Sequence, residues 1–232
     1  MIAPFSSKAS LKWFLEKFKE DKELDSLIEE YIQKILGHRI IMSPSKGPYG
    51  EKGKDIVAIE NEDTGDYCSY VVKRGNLHEN LKGSFGILRQ IEWAMLIELE
   101  IDKYKGKKRT AVVTHNGKEG YRGAIDRFEK HCRNIEAQCG GAILLRPIER
   151  WDIDELANRI FEKREVFIKN SEIKLLIDRL EQSHNLILDF KEKYENVKNS
   201  HDPVTYKELS EDLYNKIKER EDILGPFDQH KI

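Results

Sequence analysis

An aspartate and a lysine, Asp55 and Lys73, stand at the ends of two short β-rich segments, which run from Asp55 to Glu60 and from Cys68 to Lys73. The segment 62–65 between them carries turn-forming residues, so the two segments are predicted to form a hairpin. Because side chains alternate along a strand, the carboxylate and the ammonium group can converge at one end of this hairpin. A carboxylate can hold a divalent ion and a cation can stabilise developing negative charge, so the pair fits metal-dependent hydrolysis of a phosphodiester.

The segment before the hairpin is predicted to be helical. Apolar residues recur three or four positions apart from residue 8 to residue 36, and a polar run at 19–23 either separates two helices or bends one. Gly37 is expected to end this region as a C-terminal cap, and a further strand is possible at Arg39–Met42.

After the hairpin, helices are predicted to alternate with strands. The expected helices span 84–104, 123–138 and 151–163, with Asp152 or Asp154 as the cap of the last one, and the expected strands span 109–114 and 140–145. This order predicts an α/β fold in which helices cover both faces of a mixed sheet. The composition then becomes polar and helical. We therefore expect an α/β domain at 1–165 and, at 166–232, a helical extension for contact with an oligomer or a partner.

Composition narrows the class of protein. The 40 Lys and Arg residues nearly balance the 42 Asp and Glu residues, so any basic surface for nucleic acid must be local. The three cysteines lack the paired spacing of a zinc site, and an odd number of thiols without a leader sequence favours a cytoplasmic location. No stretch reaches the roughly 20 apolar residues of a membrane span, so no membrane partner is expected.

The hairpin resembles the PD-(D/E)XK, or restriction-endonuclease-like, nucleases. In that family an Asp after a glycine-rich turn is followed, across a hairpin, by an acid-X-Lys element. Asp55 follows the segment 50–54 and matches the first position, Lys73 matches the last, and Val71 stands at the acidic position. The distal half, from Ala111 to Ala157, is similar to Mrr-type nuclease domains. The likeness covers roughly residues 24 to 163.

The resemblance implies a restriction-endonuclease-like mixed sheet and an endonuclease that cleaves DNA with Mg²⁺ or Mn²⁺. Asp55 would bind the metal and Lys73 would orient water or stabilise charge. Some restriction enzymes of this fold have moved the missing glutamate to the helix after the lysine strand. In this chain Glu92 is the candidate for that second ligand, because it lies within the apolar stripe formed by Leu88, Ile91, Met95 and Leu99.

The resemblance also implies DNA as a partner, a role in restriction or anti-phage defence, and either a homodimer or a separate ATPase or sensor subunit. The residues expected to contact the nucleic acid lie near the hairpin or on the helix that follows it, and they are Lys54, Arg74, Lys82, Arg89 and Gln90.

Two other functions remain open from the sequence. Val71 at the acidic position is what a catalytically inactive subunit would carry if it kept the nuclease fold to bind nucleic acid or a partner protein. The glycine-rich loop 116–123 before a helix could instead hold a phosphate, as in a sensor of small molecules or nucleotides. A metal site at Asp55 would favour the enzyme over the inactive subunit and over the sensor.

Overall fold

The computed structural model describes residues 7–18, 23–44, 54–83, 85–118 and 120–168, together with the single residues 178, 182 and 185. Apart from residues 166–168 and these three, the predicted helical extension lies outside the described residues, as do most of the loop before Asp55 and Glu119 of the glycine-rich loop.

In the described part of the chain, five strands form one mixed open sheet in the order β1-β2-β3-β4-β5. Strand β1 pairs antiparallel with β2 and β2 pairs antiparallel with β3, whereas β3, β4 and β5 run parallel to one another. The predicted hairpin is therefore confirmed as β2 and β3. The strands are β1 (Arg39–Met42), β2 (Ile56–Asn61), β3 (Asp66–Lys73), β4 (Arg109–His115) and β5 (Glu149–Trp151).

Helices lie on both faces of this sheet, as predicted. The helices are α1 (Lys8–Leu15), α2 (Asp25–Tyr31, extended by a wider turn at Ile32–Leu36), α3 (Leu77–Asn80), α4 (Ile87–Leu96), α5 (Arg122–Ile143), α6 (Ile153–Glu162) and α7 (Arg164–Ile168), with a short 3₁₀ turn at Asp102–Tyr104. Gly37 ends the second helical region in a left-handed conformation, as expected for a C-terminal cap.

The sheet has a buried apolar core on each face because its central strands are rich in valine and isoleucine. On one face, Tyr70, Val72 and Val112 pack against α1, α2 and α6. On the other face, Val71 and Val113 pack against α4 and α5. Strands that are buried on both faces read as continuous apolar runs in the sequence, which is why they could be predicted.

The last strand and the end of α5 differ from the prediction. The expected strand at 140–145 is wrong, because α5 resumes after a break at Gly140 and runs to Ile143, and β5 forms later at Glu149–Trp151. Leu144 makes only an isolated bridge to Arg109. The Leu145 N–H donates to the Arg109 carbonyl at 2.9 Å and the Thr110 hydroxyl donates to the carbonyl of Arg146 at 3.0 Å, so one backbone bond and one side chain hold this connection to β4.

Helix α6 begins where the sequence indicates. The Asp152 carboxylate accepts hydrogen bonds from the backbone N–H groups of Asp154 and Glu155, at 3.0 and 2.9 Å. Of the two predicted caps, Asp152 is therefore the correct one. Among the described residues, no helix combines the length and the apolar composition needed to cross a lipid bilayer.

Candidate active site at the carboxyl edge of the sheet

The ends of the three parallel strands meet at one edge of the sheet, here called the carboxyl edge. Lys73 at the end of β3 lies beside His115 at the end of β4, and Thr114 lies beside Trp151 at the end of β5. Because β2 runs antiparallel to β3, the start of β2 reaches the same edge and brings Asp55 there. Open α/β sheets characteristically bind ligands outside the carboxyl ends of their strands.

Asp55 and Lys73 are brought together at this edge. The Oδ2 atom of Asp55 accepts a hydrogen bond from the Val72 backbone N–H at 2.7 Å and lies 3.9 Å from Lys73 Nζ. The Asp55 N–H donates to the Tyr70 carbonyl at 3.1 Å, which fixes the residue just before β2 begins. The side chains are 25% and 12% exposed, so both groups are held firmly and remain open to small ligands.

The structure does not bring Glu92 to Asp55. The buried face of α4 consists of Ile87, Gln90, Ile91, Ala94 and Met95. Glu92 lies beside this face, with its carboxylate 3.2 Å from Arg89 Nη1 and 3.6 Å from His131 Nε2 of α5. The predicted stripe required the helix to continue to Leu99, but α4 ends at Leu96, and the buried face is rotated away from Glu92.

The described residues contain no cluster of three or more His, Cys, Asp or Glu side chains that could hold a metal ion. Val71, at the acidic position of the nuclease motif, is fully buried against α4 and α5. Asp55, whose carboxylate lies beside Lys73, is the candidate ligand for a divalent ion, whereas the Asp152 carboxylate at the same edge caps α6.

The residues predicted to contact nucleic acid fall into two groups. Arg74 and Lys82 are exposed next to the carboxyl edge, and Arg89 is exposed on α4, with its guanidinium over the Trp93 ring. Lys54 and Gln90 are corrections to the prediction. Lys54 is fully buried and donates to the Ile97 carbonyl at 3.0 Å. Gln90 is only 4% exposed on the buried face of α4, so neither side chain is placed to contact a phosphate backbone.

Asn116 is a buried residue at this edge that the sequence analysis did not single out. Its Nδ2 donates to the carbonyls of Leu15 and Phe18, both at 2.9 Å, and its Oδ1 accepts from the Gly75 N–H at 2.9 Å. One side chain thus joins the end of α1 to the loops after β3 and β4. An Asn-Gly pair after a strand predicts only a turn, so the sequence carried no signal for these distant contacts.

No protein-family model, no curated protein and no solved structure matches the chain. The functional interpretation therefore depends on the geometry of the carboxyl edge.

His115 is a further titratable group at this edge, and it is fully buried beside Lys73. Burial lowers the pKa of His115 to about 4 and outweighs the favourable effect of Asp152 on the charged ring. The imidazole is therefore neutral at physiological pH and adds no positive charge beside Lys73.

The buried His115 predicts a loss of stability in mild acid. In the unfolded chain a histidine takes up a proton near pH 6.5, whereas the folded ring stays neutral down to about pH 4. The unfolded state thus binds more protons in this window, and the free energy of unfolding falls as pH decreases, by at most about 3 kcal/mol from this group. Urea unfolding of the wild type and of His115→Phe, at several pH values from neutral to acid, measures this contribution.

The variant His115→Phe should have a flatter dependence of unfolding free energy on pH than the wild type. Equal slopes for the wild type and His115→Phe would show that His115 is not the group responsible.

Proposed function

We propose that this chain is a nuclease of the restriction-endonuclease-like fold that hydrolyses DNA phosphodiester bonds with Mg²⁺ or Mn²⁺, as part of a restriction or defence system. The observation that carries the proposal is the convergence of Asp55 and Lys73 across the β2–β3 hairpin, 3.9 Å apart, at the carboxyl edge. The order of strands and helices also supports it, because a hairpin followed by two parallel strands with helices on both faces is the arrangement expected of this fold.

The described residues fit a divalent ion in part. Mg²⁺ commonly keeps several waters and takes one or two protein carboxylates together with phosphate oxygens of the substrate. Asp55 supplies one carboxylate, and Glu92, which we expected to supply the other, lies beside Arg89 and His131 instead. An ion at Asp55 would therefore depend on DNA phosphate for its remaining ligands. A bound ion would lower the pKa of a water and polarise the phosphate.

The side chains at the edge have separate tasks in this proposal. Asp55 is oriented by the Val72 N–H, which donates to its Oδ2 at 2.7 Å, so the carboxylate that would hold the metal has a fixed direction. Lys73 keeps its ammonium mostly shielded from solvent, where a positive charge stabilises a pentavalent phosphate more strongly than it does in water. The neutral His115 next to Lys73 adds no competing positive charge.

A second candidate function is a nuclease-fold subunit that binds nucleic acid or a partner protein without cleaving DNA. The burial of Val71 and the position of Glu92 favour it, since the acidic position of the motif holds no carboxylate and Glu92 contacts Arg89 and His131. This candidate predicts DNA binding without hydrolysis in any divalent ion.

Cleavage of plasmid DNA tests the proposal and separates the two functions. The wild type is expected to cleave in Mg²⁺ or Mn²⁺ and not in EDTA. Lys73→Met should reduce the rate by roughly 100-fold or more, because it removes a cation that stabilises the transition state. Glu92→Gln should retain the wild-type rate, since its carboxylate faces Arg89 and His131.

The variant Lys108→Met is the matched control for Lys73→Met. Lys108 is exposed just before β4, at the opposite edge of the sheet, so its replacement should leave cleavage unchanged. A wild type that binds DNA but does not cleave it in either metal would favour the second candidate. Cleavage that persists in EDTA or in Lys73→Met would contradict the proposed site.

A further inference from the structure

Next to the carboxyl edge, two aromatic side chains lie together at the surface. Tyr121, immediately before α5, is 59% exposed, and its ring centroid is 5.9 Å from that of His78 in α3. We call Tyr121 and His78 the aromatic lip. An exposed aromatic ring offers a flat face on which another ring can stack.

The aromatic lip is attached to the ends of β3 and β4. The Leu77 N–H donates to the Lys118 carbonyl at 3.3 Å, and the Lys118 N–H donates to Asn76 Oδ1 at 3.0 Å. At Gly120 the backbone approaches the imidazole so closely that a Cβ there would lie 2.7 Å from His78 Nδ1. These contacts hold the lip in the loops that directly follow Lys73 and His115.

Cationic side chains flank the aromatic lip. Arg74, Lys118 and Arg122 are exposed in the same loops and in the first turn of α5. Among the described residues of these loops and of the first turns of α3 and α5, the acidic ones are Asp126 and Glu79, whose carboxylate accepts hydrogen bonds from Asn76. Glu119 of the same loop lies outside the described residues. In a chain with a formal net charge of −2, the described cations outnumber the described acids around this exposed aromatic face.

We propose that the aromatic lip stacks an unpaired nucleobase, so that the carboxyl edge takes single-stranded DNA in preference to a closed duplex. The inference rests on the proposed function in that it assigns the lip the same substrate, DNA. Exposed aromatic faces beside a cationic track are how proteins hold single strands, since every base offers a face for stacking and the cations follow the phosphates. In a closed duplex the bases are already stacked on one another, so the same lip would gain only phosphate contacts.

Fluorescence anisotropy with a labelled oligothymidylate and with a duplex of equal length, both in EDTA, tests the inference without relying on catalysis. The wild type should bind the single strand more tightly than the duplex. Tyr121→Ala should weaken binding of the single strand by about tenfold, because it removes the ring on which one base stacks, and should change duplex binding much less. Tyr121→Phe keeps the ring and should bind like the wild type.

The variant Leu96→Ala is the matched control, because it removes an exposed apolar side chain, 42% accessible, from the far end of α4. The inference is overturned if Tyr121→Ala binds the single strand like the wild type, or if it weakens single-strand and duplex binding equally. If single-strand binding depends on Tyr121 but the wild type does not cleave in Mn²⁺, the role of the lip is supported and the proposed hydrolysis is contradicted. If the wild type cleaves DNA but Tyr121→Ala binds the single strand as tightly as the wild type does, the hydrolysis is supported and the role of the lip is contradicted.

Discussion

Replacing Asp55 by asparagine is expected to reduce the rate of metal-dependent DNA cleavage by at least about 100-fold while leaving the fold intact. Loss of groups that only support a metal ligand commonly lowers affinity or activity by 10- to 100-fold, so loss of the ligand's charge should exceed that range. An amide oxygen can still accept the hydrogen bond from the Val72 N–H, which the carboxylate accepts at 2.7 Å in the wild type. Single-turnover rates in Mn²⁺ measure the effect.

The matched control for Asp55→Asn lies on the same hairpin. Asp63 is exposed in the turn between β2 and β3, and Asp63→Asn makes the identical chemical change away from the carboxyl edge. It should cleave like the wild type. Thermal unfolding followed by circular dichroism should give similar midpoints for all three proteins. Asp55→Asn that unfolds with the wild-type midpoint and still cleaves at the wild-type rate would remove Asp55 from the site.

The second large effect is expected from Gly117→Ala, which should lower the free energy of unfolding by about 3 kcal/mol. A Cβ at this position would lie 2.2 Å from the carbonyl carbon of Gly75 and 2.5 Å from the backbone nitrogen of Asn76. Backbone cannot move aside as the end of a long side chain can, so the loops after β3 and β4 must separate. The hydrogen bond from the Gly75 N–H to Asn116, 2.9 Å in the wild type, would be strained or lost.

Urea unfolding of Gly117→Ala beside Gly141→Ala measures this effect. A Cβ at Gly141, near the end of α5, would meet no atom within 4 Å, so the same substitution there should change the unfolding free energy by less than about 0.5 kcal/mol. Because the two loops also carry Lys73 and the aromatic lip, Gly117→Ala should lose cleavage and single-strand binding as well. Equal stability of the two variants would mean that the loops do not touch as described.

The hairpin and both faces of the sheet could be predicted because their signals are local. The β2–β3 turn and the alternation of apolar residues fixed which residues pair, and Asp55 and Lys73 followed from that pairing. The buried strands are short apolar runs between helices with one apolar face, which is enough to predict a sheet covered on both sides.

Glu92 shows where a local pattern was not enough. The stripe through Leu88, Ile91, Met95 and Leu99 is regular in the sequence, but Leu99 lies beyond the end of α4 and packs in a separate cluster with Val57 and Tyr67. The direction in which a helix faces depends on what it packs against, and the sheet selects Ile87, Ile91 and Ala94. Glu92, the expected metal ligand, therefore lies at the side of the helix and not on its buried face.

Long-range contacts account for the other corrections. The Asn116 side chain bonds to the carbonyls of Leu15 and Phe18, about a hundred positions earlier in the chain, and only the folded arrangement of α1 against the sheet brings them together. Lys54 is similar, since its buried ammonium donates to the carbonyl of Ile97, which lies 43 positions later in the chain and just after α4. A lysine before a strand gives no sign in the sequence that its side chain will be buried.

Binding of Mn²⁺ in the presence of DNA that cannot be cleaved tests the central claim most directly. Because Asp55 would supply one carboxylate and the DNA phosphates further ligands, the account predicts that Mn²⁺ binds tightly only when a phosphorothioate DNA is present, and that Asp55→Asn abolishes this DNA-dependent binding. Calorimetric titrations of Mn²⁺ into the wild type and Asp55→Asn, with and without the DNA, give the comparison. Binding of Mn²⁺ that is the same in both proteins would contradict the assignment of Asp55 as the metal ligand of a nuclease site.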